Sequence, residues 1–417
     1  MRNLLLYLVA GLFPGALCAA DALTVDQAVA EALQHNLALL AERANVDIAR
    51  ARIIAAGLRP NPVFSIGGNH LDLLGTGFNS INAGGPTELG MHTEFTHERA
   101  GKRRLRVEVA EGSRAVAELQ FRDAARSVVL DVQNAFVDAL LARRSVLLAR
   151  ENQKSLDQIV EVNTTRVRSG DLAEIELIRS RLAALQYEAS VRQAELRVRT
   201  ALTKLQTAMG RPRPDPAFDI IGDLRRDTVT PARRELEDTA LDTRPDLRAL
   251  ERDYERAGAE VQSQIAQAKP DVTLGADYIR QQVNAKANSL AFSLSVPIPV
   301  FNRNQGEIER ARQEKRQIEL RIAALRASIT ADIDTAYDQY LTARSLLESI
   351  EGKMLQQARD VREITDYSYR RGDASLLELL DAQRAFNETM QGYNEARAEY
   401  ARSLYLLDSI SGKVTVP

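Results

Sequence analysis

The 417-residue chain contains no tryptophan, four histidines and a single cysteine. One thiol cannot build a disulfide framework or a cysteine-ligated metal cluster. Prolines number only 13, and none falls between Pro86 and Pro212 or between Pro299 and Pro417. Glycine is likewise absent between Gly112 and Gly170. Stretches so free of helix breakers permit very long helices. An excess of one charge is missing too: 55 Lys and Arg stand against 57 Asp and Glu. A polyanion binder needs a clustered basic excess, so nucleic acid is not an expected partner. Beyond the first twenty residues, no run approaches the ~20 apolar residues of a membrane-spanning helix. Any membrane passage by the mature chain must therefore use β-strands. Phosphate-binding Gly-Lys-Ser/Thr loops, His-Glu-x-x-His and serine nucleophile elbows are all lacking. No enzymatic activity and no cofactor are expected.

What is present begins with a secretory signal over residues 1–20. Arg2 supplies a positive start, Leu4 to Phe13 an apolar stretch, and Cys18-Ala19-Ala20 a small-residue cleavage site. Cleavage before Asp21 leaves a mature chain without cysteine. Leu17 stands where lipid attachment to Cys18 would want a small residue.

The mature chain repeats itself. Ala32-Leu33 recurs as Ala240-Leu241, Pro62 as Pro270, Ile66 as Leu274 and Gly67 as Gly275. Further on, Ala142-Arg143 matches Ala343-Arg344, Gly170-Asp171 matches Gly372-Asp373, and Gly210 matches Gly412. Matches in constant order at a nearly constant offset predict two structural repeats, 21–212 and 213–417. Each is expected to open with one helix (24–56; 235–268), continue with two strands, and end in a long helical hairpin. An unbroken helix over 103–168 would make a rod of roughly 100 Å.

Val129, Val132, Phe136 and Leu140 step by three, four and four, the spacing of a helix-packing seam. Ile333, Tyr337 and Tyr340 repeat it. Gly170 and Gly372 sit where each hairpin must reverse, a position favouring positive φ. In the strands, Leu290, Phe292, Leu294 and Val296 share one face against Ala291, Ser293 and Ser295. Val272, Leu274, Ala276 and Tyr278 repeat that pattern, and Phe64 and Ile66 join Leu89, Met91, Thr93 and Phe95. Such alternation fits either a half-buried soluble sheet or a transmembrane barrel. Four strands are too few to close a bilayer barrel, so the second reading requires oligomerisation.

Together, the signal, the duplication, the paired strands and the helical hairpins resemble the TolC outer-membrane efflux channel family. Two motifs are similar to its heavy-metal (CzcC-like) branch: Gly101-Lys102-Arg103 with Arg106, and Pro297-Ile298-Pro299-Val300-Phe301-Asn302-Arg303-Asn304-Gln305-Gly306. Leu37 departs from the family, which often has proline after the asparagine, and Ala100 stands where the branch often has a second glycine.

The resemblance implies a mainly α fold with a small β part. Long antiparallel helical hairpins of three chains would form an α-barrel, and four strands per chain a 12-stranded outer-membrane β-barrel. The implied role is the exit duct of a tripartite RND-type system exporting divalent metal cations. Its partners would be a periplasmic adaptor, an inner-membrane RND pump and outer-membrane lipid. The alternative cargo is a drug, another organic compound or a secreted polypeptide.

Counting from Gly372, the family's constricting acidic positions fall on Glu378 and Asp381; counting from Gly170, a third falls on Glu176. Three-fold repetition would make them a cation-attracting ring. Tyr369 matches a position used in links that hold the tip shut. The usual arginine two residues past the glycine is Ala374 here, which leaves Arg370 or Arg371 as the expected substitute. The adaptor is expected to dock on Arg168, Ser169, Gly170, Asp171, Arg371, Gly372 and Asp373. His92 and His97 are five apart and point to opposite faces of a strand, so no stored metal is expected.

Overall fold

A computed structural model describes residues 22–71, 73–75, 87–229, 232–282 and 286–413. The expected signal and most of the loop between the first two strands lie outside them. The elements run α1 (Val25–His35), α2 (Leu37–Gly57), β1 (Val63–Asn69), β2 (Thr87–His97), α3 (Lys102–Arg168) and α4 (Glu174–Ala208). The same order follows in α5 (Arg233–Thr243), α6 (Pro245–Gln267), β3 (Val272–Gln282), β4 (Lys286–Ser295), α7 (Gln305–Ser349), α8 (Leu355–Arg371) and α9 (Leu376–Ile410). The fold is mainly helical with one small sheet, as the sequence implies.

The single opening helices expected over 24–56 and 235–268 are in fact pairs. Asn36 breaks the first at φ −64°, ψ 116°, and Arg244 breaks the second at φ −58°, ψ 124°. Pro245 explains the second break, because proline drives the residue before it out of the helical region. At the first break no proline acts; the Asn36 amide instead donates to the Ala208 carbonyl at 2.9 Å. A second difference lies between α7 and α8, where Ile350–Met354 forms a π-helical turn around Gly352. Glycine has low helix propensity, and π turns mark points where a long helix absorbs an extra residue.

Two compact units emerge. The first comprises the described residues of Met1–Leu37, Val128–Thr230 and Ala336–Leu407. Its main core joins Ala28 and Ala32 of α1, Val132, Phe136 and Leu140 of α3, Leu205 of α4, and Ala398 and Ala401 of α9. Burying a side chain such as Val132 contributes roughly 1.5–3 kcal/mol. All four seam residues expected on α3 are buried. Farther on, Ile333, Ala336 and Tyr340 are buried while Tyr337 is only half-buried, so Ala336 takes the seam position.

The second unit comprises the described residues of Ala38–Ser127, Pro231–Thr335 and Asp408–Pro417, and it holds the sheet. The strands lie in the order β1-β2-β3-β4, all antiparallel. Phe64 pairs with Thr93, Phe95 with Leu274 and Leu274 with Leu294, so every apolar residue of the alternating pattern shares one face. Nothing among the described residues covers that face: Phe292 is 83% and Leu290 71% exposed. A half-buried soluble sheet would hide these side chains in its own core. The opposite face carries Ser65, His92, Glu94, Asp277, Ser293 and Ser295. Strand β1, at seven residues, is shorter than the other three, which have ten or eleven.

Candidate functional site

The two hairpin turns share one backbone solution. After α3, the Asp171 N–H donates to Arg166 O (2.8 Å) and the Gly170 N–H to Val167 O (3.1 Å). After α8, the Asp373 N–H donates to Ser368 O (2.9 Å) and the Gly372 N–H to Tyr369 O (3.1 Å). Both glycines take positive φ, +82° and +90°, which closes each helix with a Schellman-type cap. Arg168, Ser169, Gly170 and Asp171 are exposed, as are Arg371, Gly372 and Asp373. The Ser169 hydroxyl donates to the Asp171 carboxylate at 2.7 Å.

Beyond the turns, the three acidic candidates have unlike surroundings. Glu378 accepts from the Ser375 N–H (2.7 Å) and Oγ–H (2.9 Å), while its own N–H donates to Ser375 Oγ at 3.3 Å. This capping box closes the start of α9. The same hydrogen bonds favour the ionised form and hold the Glu378 carboxyl below its ordinary value. Asp381 is exposed one turn later. Glu176 is half-buried in the first turn of α4 and pairs with Arg179 at 3.0 Å.

Tyr369 is buried, and its hydroxyl donates to Asn163 Oδ1 at 2.6 Å. Burial pushes the phenol up, against the lesser pull of Asn163. Arg166 donates to the Tyr369 carbonyl at 3.3 Å and lies 5.9 Å from the centre of its ring. Within the chain, neither Arg370 nor Arg371 engages Tyr369. Arg370 pairs with Asp366 at 2.9 Å, and Arg371 stacks over the Tyr367 ring at 4.6 Å. Both cations have a nearer partner one helical turn back, which satisfies them locally.

Sequence reasoning missed Asn163 and Arg166, and also a buried polar chain farther along the hairpins. Gln383 donates to Asn152 Oδ1 at 2.7 Å, Asn152 donates to Asn387, and Asn387 donates to the Tyr187 hydroxyl at 2.7 Å. A signal did exist: Asn152, Leu156, Ile159 and Asn163 continue the three-four seam spacing, so two seam positions are amides. Buried amides are retained only when hydrogen-bonded.

On the polar face of the sheet, His92 Nδ1 lies 2.7 Å from Asp277 and Nε2 lies 3.6 Å from Glu94. The carboxylates flank the ring from opposite sides and so cannot chelate one ion with it. Among the described residues no trio of His, Cys, Asp or Glu is arranged to hold a metal.

The sheet thus leaves its apolar face uncovered among the described residues, and both hairpins reverse at the same capped turn. The family model described as "Outer membrane efflux protein" matches residues 28–211 and 236–413. The chain belongs to the outer membrane efflux protein family. Family and fold are those of channels, and the protein is an efflux channel of the outer membrane. Among curated relatives, the cobalt-zinc-cadmium resistance protein CzcC of Cupriavidus metallidurans is 24% identical over 95% of this chain and 91% of its own. The pyoverdine export outer membrane protein OpmQ of Pseudomonas aeruginosa is 25% identical over 86% of this chain and 79% of its own. Solved structures of the same fold include CusC (TM-score 0.74, 17% identity, 93% of this chain and 92% of that one). The Campylobacter jejuni CmeC outer membrane channel is another (TM-score 0.75, 17% identity, 93% and 85%).

Proposed function

We propose that this efflux protein is the exit duct of a tripartite RND-type system that carries divalent heavy-metal cations out of the periplasm or cytoplasm. The uncovered apolar face of the four-stranded sheet carries the duct reading. Water penalises such a surface, whereas hydrocarbon does not. Four strands leave two open edges, which a bilayer does not tolerate, so three chains closing a 12-stranded barrel remove them. On α4, Ile175, Ile178, Leu182 and Leu185 form an exposed apolar stripe at helix-packing spacing, which suits burial against a neighbouring protomer. The repeats 21–212 and 213–417 would each supply one hairpin per protomer to the tunnel.

In this reading Glu378, Asp381 and Glu176 ring the periplasmic constriction, each present three times. Carboxylates at close quarters attract cations and repel anions without holding either tightly. Tyr369, with Asn163 and Arg166 beside it, keeps the hairpin ends together; Arg370 and Arg371 serve contacts between protomers. A periplasmic adaptor docks on Arg168, Ser169, Gly170, Asp171, Arg371, Gly372 and Asp373, and an inner-membrane RND pump selects and energises the cargo.

Cargo is argued from likeness to CzcC across nearly the whole chain and from the Gly101-Lys102-Arg103 and Pro297–Gly306 motifs. Likeness to OpmQ, named for pyoverdine export, favours an organic cargo as the second reading. A deletion strain grown on graded zinc, cadmium, cobalt, nickel, copper and silver, beside drugs and dyes, separates them. Sensitivity confined to divalent metals is expected; sensitivity to drugs with normal metal tolerance would transfer the duct to a multidrug system. In planar bilayers, replacing Glu378 and Asp381 together by alanine should weaken cation selectivity, and unchanged selectivity would remove the ring.

A further inference from the structure

The Gly101-Lys102-Arg103 segment has a second feature that the duct does not explain. Where β2 passes into α3, a hollow of about 250 Å³ is lined by Arg59, Phe95, His97, Lys102, Arg103 and Arg104, among others. Three nearby cations are already neutralised. Lys102 pairs with Asp271 at 2.8 Å, Arg104 with Glu108 at 3.1 Å, and Arg106 with Glu98. Asp271 also accepts the Arg99 N–H at 2.9 Å, which ties the β2–α3 turn to the start of β3. Arg59 and Arg103 have no ion-pair partner among the described residues, and both are exposed. The hollow therefore holds two uncompensated positive charges in a fixed frame.

Its position gives those charges a purpose. Phe95 belongs to the apolar face, in register with Leu274, and one row nearer the helices on that face His97 pairs with Val272. Thr96 pairs with Thr273 and Thr273 with Ser295, so the hollow and the end of β4 lie at the same end of the sheet. Just past that end, Ile298 and Phe301 are 83% and 91% exposed. Apolar side chains thus run up to and just past the strand ends, at the end of the sheet where the unpaired arginines stand. That sequence of surfaces matches acyl chain followed by headgroup at a bilayer interface.

We propose that the hollow binds the phosphate of an anionic phospholipid in the leaflet that faces the helical part of the protein, with Arg59 and Arg103 as its ligands and the acyl chains lying over Phe95. The inference rests on the lipid-facing reading of the sheet and is independent of cargo. Guanidinium groups suit phosphate oxygens because their paired N–H donors match the anion's geometry. Two net charges favour an anionic headgroup over a zwitterionic one, whose own ammonium would oppose them. The site would set the depth at which the sheet sits and fill the gap between strand ends and membrane.

Native mass spectrometry of the purified full-length protein, delipidated in detergent, tests the site. Phosphatidylglycerol, phosphatidylethanolamine and inorganic phosphate are added separately. Wild type should retain phosphatidylglycerol roughly tenfold better than phosphatidylethanolamine. The R59Q/R103Q variant should lose that preference, whereas R181Q/R199Q, which removes the same charge from exposed helix surface, should keep it. Equal retention of both lipids by wild type would overturn the proposal even if the variant failed to assemble. So would equal loss in both variants, which would mean diffuse attraction, or displacement of the lipid by millimolar inorganic phosphate. Metal sensitivity and single-channel conductance report the duct separately, so failure of the lipid site leaves that reading standing.

Discussion

At the first hairpin turn Ala173 precedes α4 and provides no side-chain cap, whereas at the second Ser375 and Glu378 cap α9 reciprocally. The backbone before each turn is the same, a glycine at positive φ with matching hydrogen bonds. One turn beyond the acid, Arg179 occupies the place that Asp381 takes in the second hairpin. The opening helices show the same division. Both break at one residue, Asn36 or Arg244, and both breaks are covered by a glycine at the end of the hairpin, Gly210 or Gly412. Where the chain must pack, the two halves agree; where side chains meet solvent or a partner, they diverge. Packing permits few backbone solutions, while an exposed position is constrained only by what docks there.

The corner glycines give the largest expected effects. At Gly210, φ +86°, an added Cβ would collide with the His35 carbonyl oxygen, so backbone must move. At Gly412, φ +72°, it would meet Thr243 Oγ1 at 2.5 Å, and that side chain can rotate at the expense of its bond to Ser411 O (3.1 Å). Gly210→Ala should cost roughly 4 kcal/mol and Gly412→Ala roughly 2 kcal/mol. Denaturant unfolding in detergent measures both; equal losses would mean the two corners are not distinguished by what they press against.

The helix breaks differ in charge, and that difference should be visible in acid. Arg244, buried, grips Asp246 through two hydrogen bonds of 3.1 and 2.7 Å. Burial alone would raise the Asp246 carboxyl, but Arg244 and the Leu247 N–H outweigh it and hold it below its ordinary 3.8. A depressed carboxyl contributes stability that is present above its unfolded value and lost as pH falls through its folded one. Arg244→Gln should therefore cost about 3 kcal/mol near neutrality, and the gap to wild type should narrow below pH 3.8. Asn36→Ala removes an uncharged bond, so its cost, about 1 kcal/mol, should not change over the same range. Parallel pH profiles for the two variants would contradict the assignment.

Much of the framework was legible because it rests on local rules. Gly170 and Gly372 announce their turns, Val129 to Leu140 announce a packed helix, and Leu290 to Val296 announce a strand with one apolar face. The break at Arg244 was missed even though its local signal, Pro245, stands in the sequence. The break at Asn36 was not legible, because the bond that stabilises it comes from Ala208, 172 residues away. Tyr369 could be singled out by its place before Gly372, but its partner Asn163 is 206 residues distant and reached only through packing. Arg370 and Arg371 illustrate the converse. The resemblance suggested one of them for a long-range link, and within the chain they meet Asp366 and Tyr367, one turn away on the same helix. Local contacts cost less entropy to form than distant ones.

The smallest expected effect bears most directly on the proposed constriction. Glu378 has two possible duties, since a carboxylate that caps its own helix is held in place whether or not it also faces a channel. Ser375→Ala removes the hydroxyl half of the cap and should cost about 1 kcal/mol of stability. Ala173→Ser, which supplies the first hairpin with the missing hydroxyl three residues before Glu176, should return a similar amount. If Glu378 also lines the constriction, the two substitutions should part company in bilayer recordings. Losing the hydroxyl bond, while the stronger one from the residue 375 N–H stays, lets the Glu378 pKa rise part of the way toward its ordinary value, so the pH at which cation selectivity fades should move slightly upward in Ser375→Ala. An unshifted profile, with the loss of stability intact, would leave Glu378 as a helix cap alone and assign the constriction to Asp381 and Glu176.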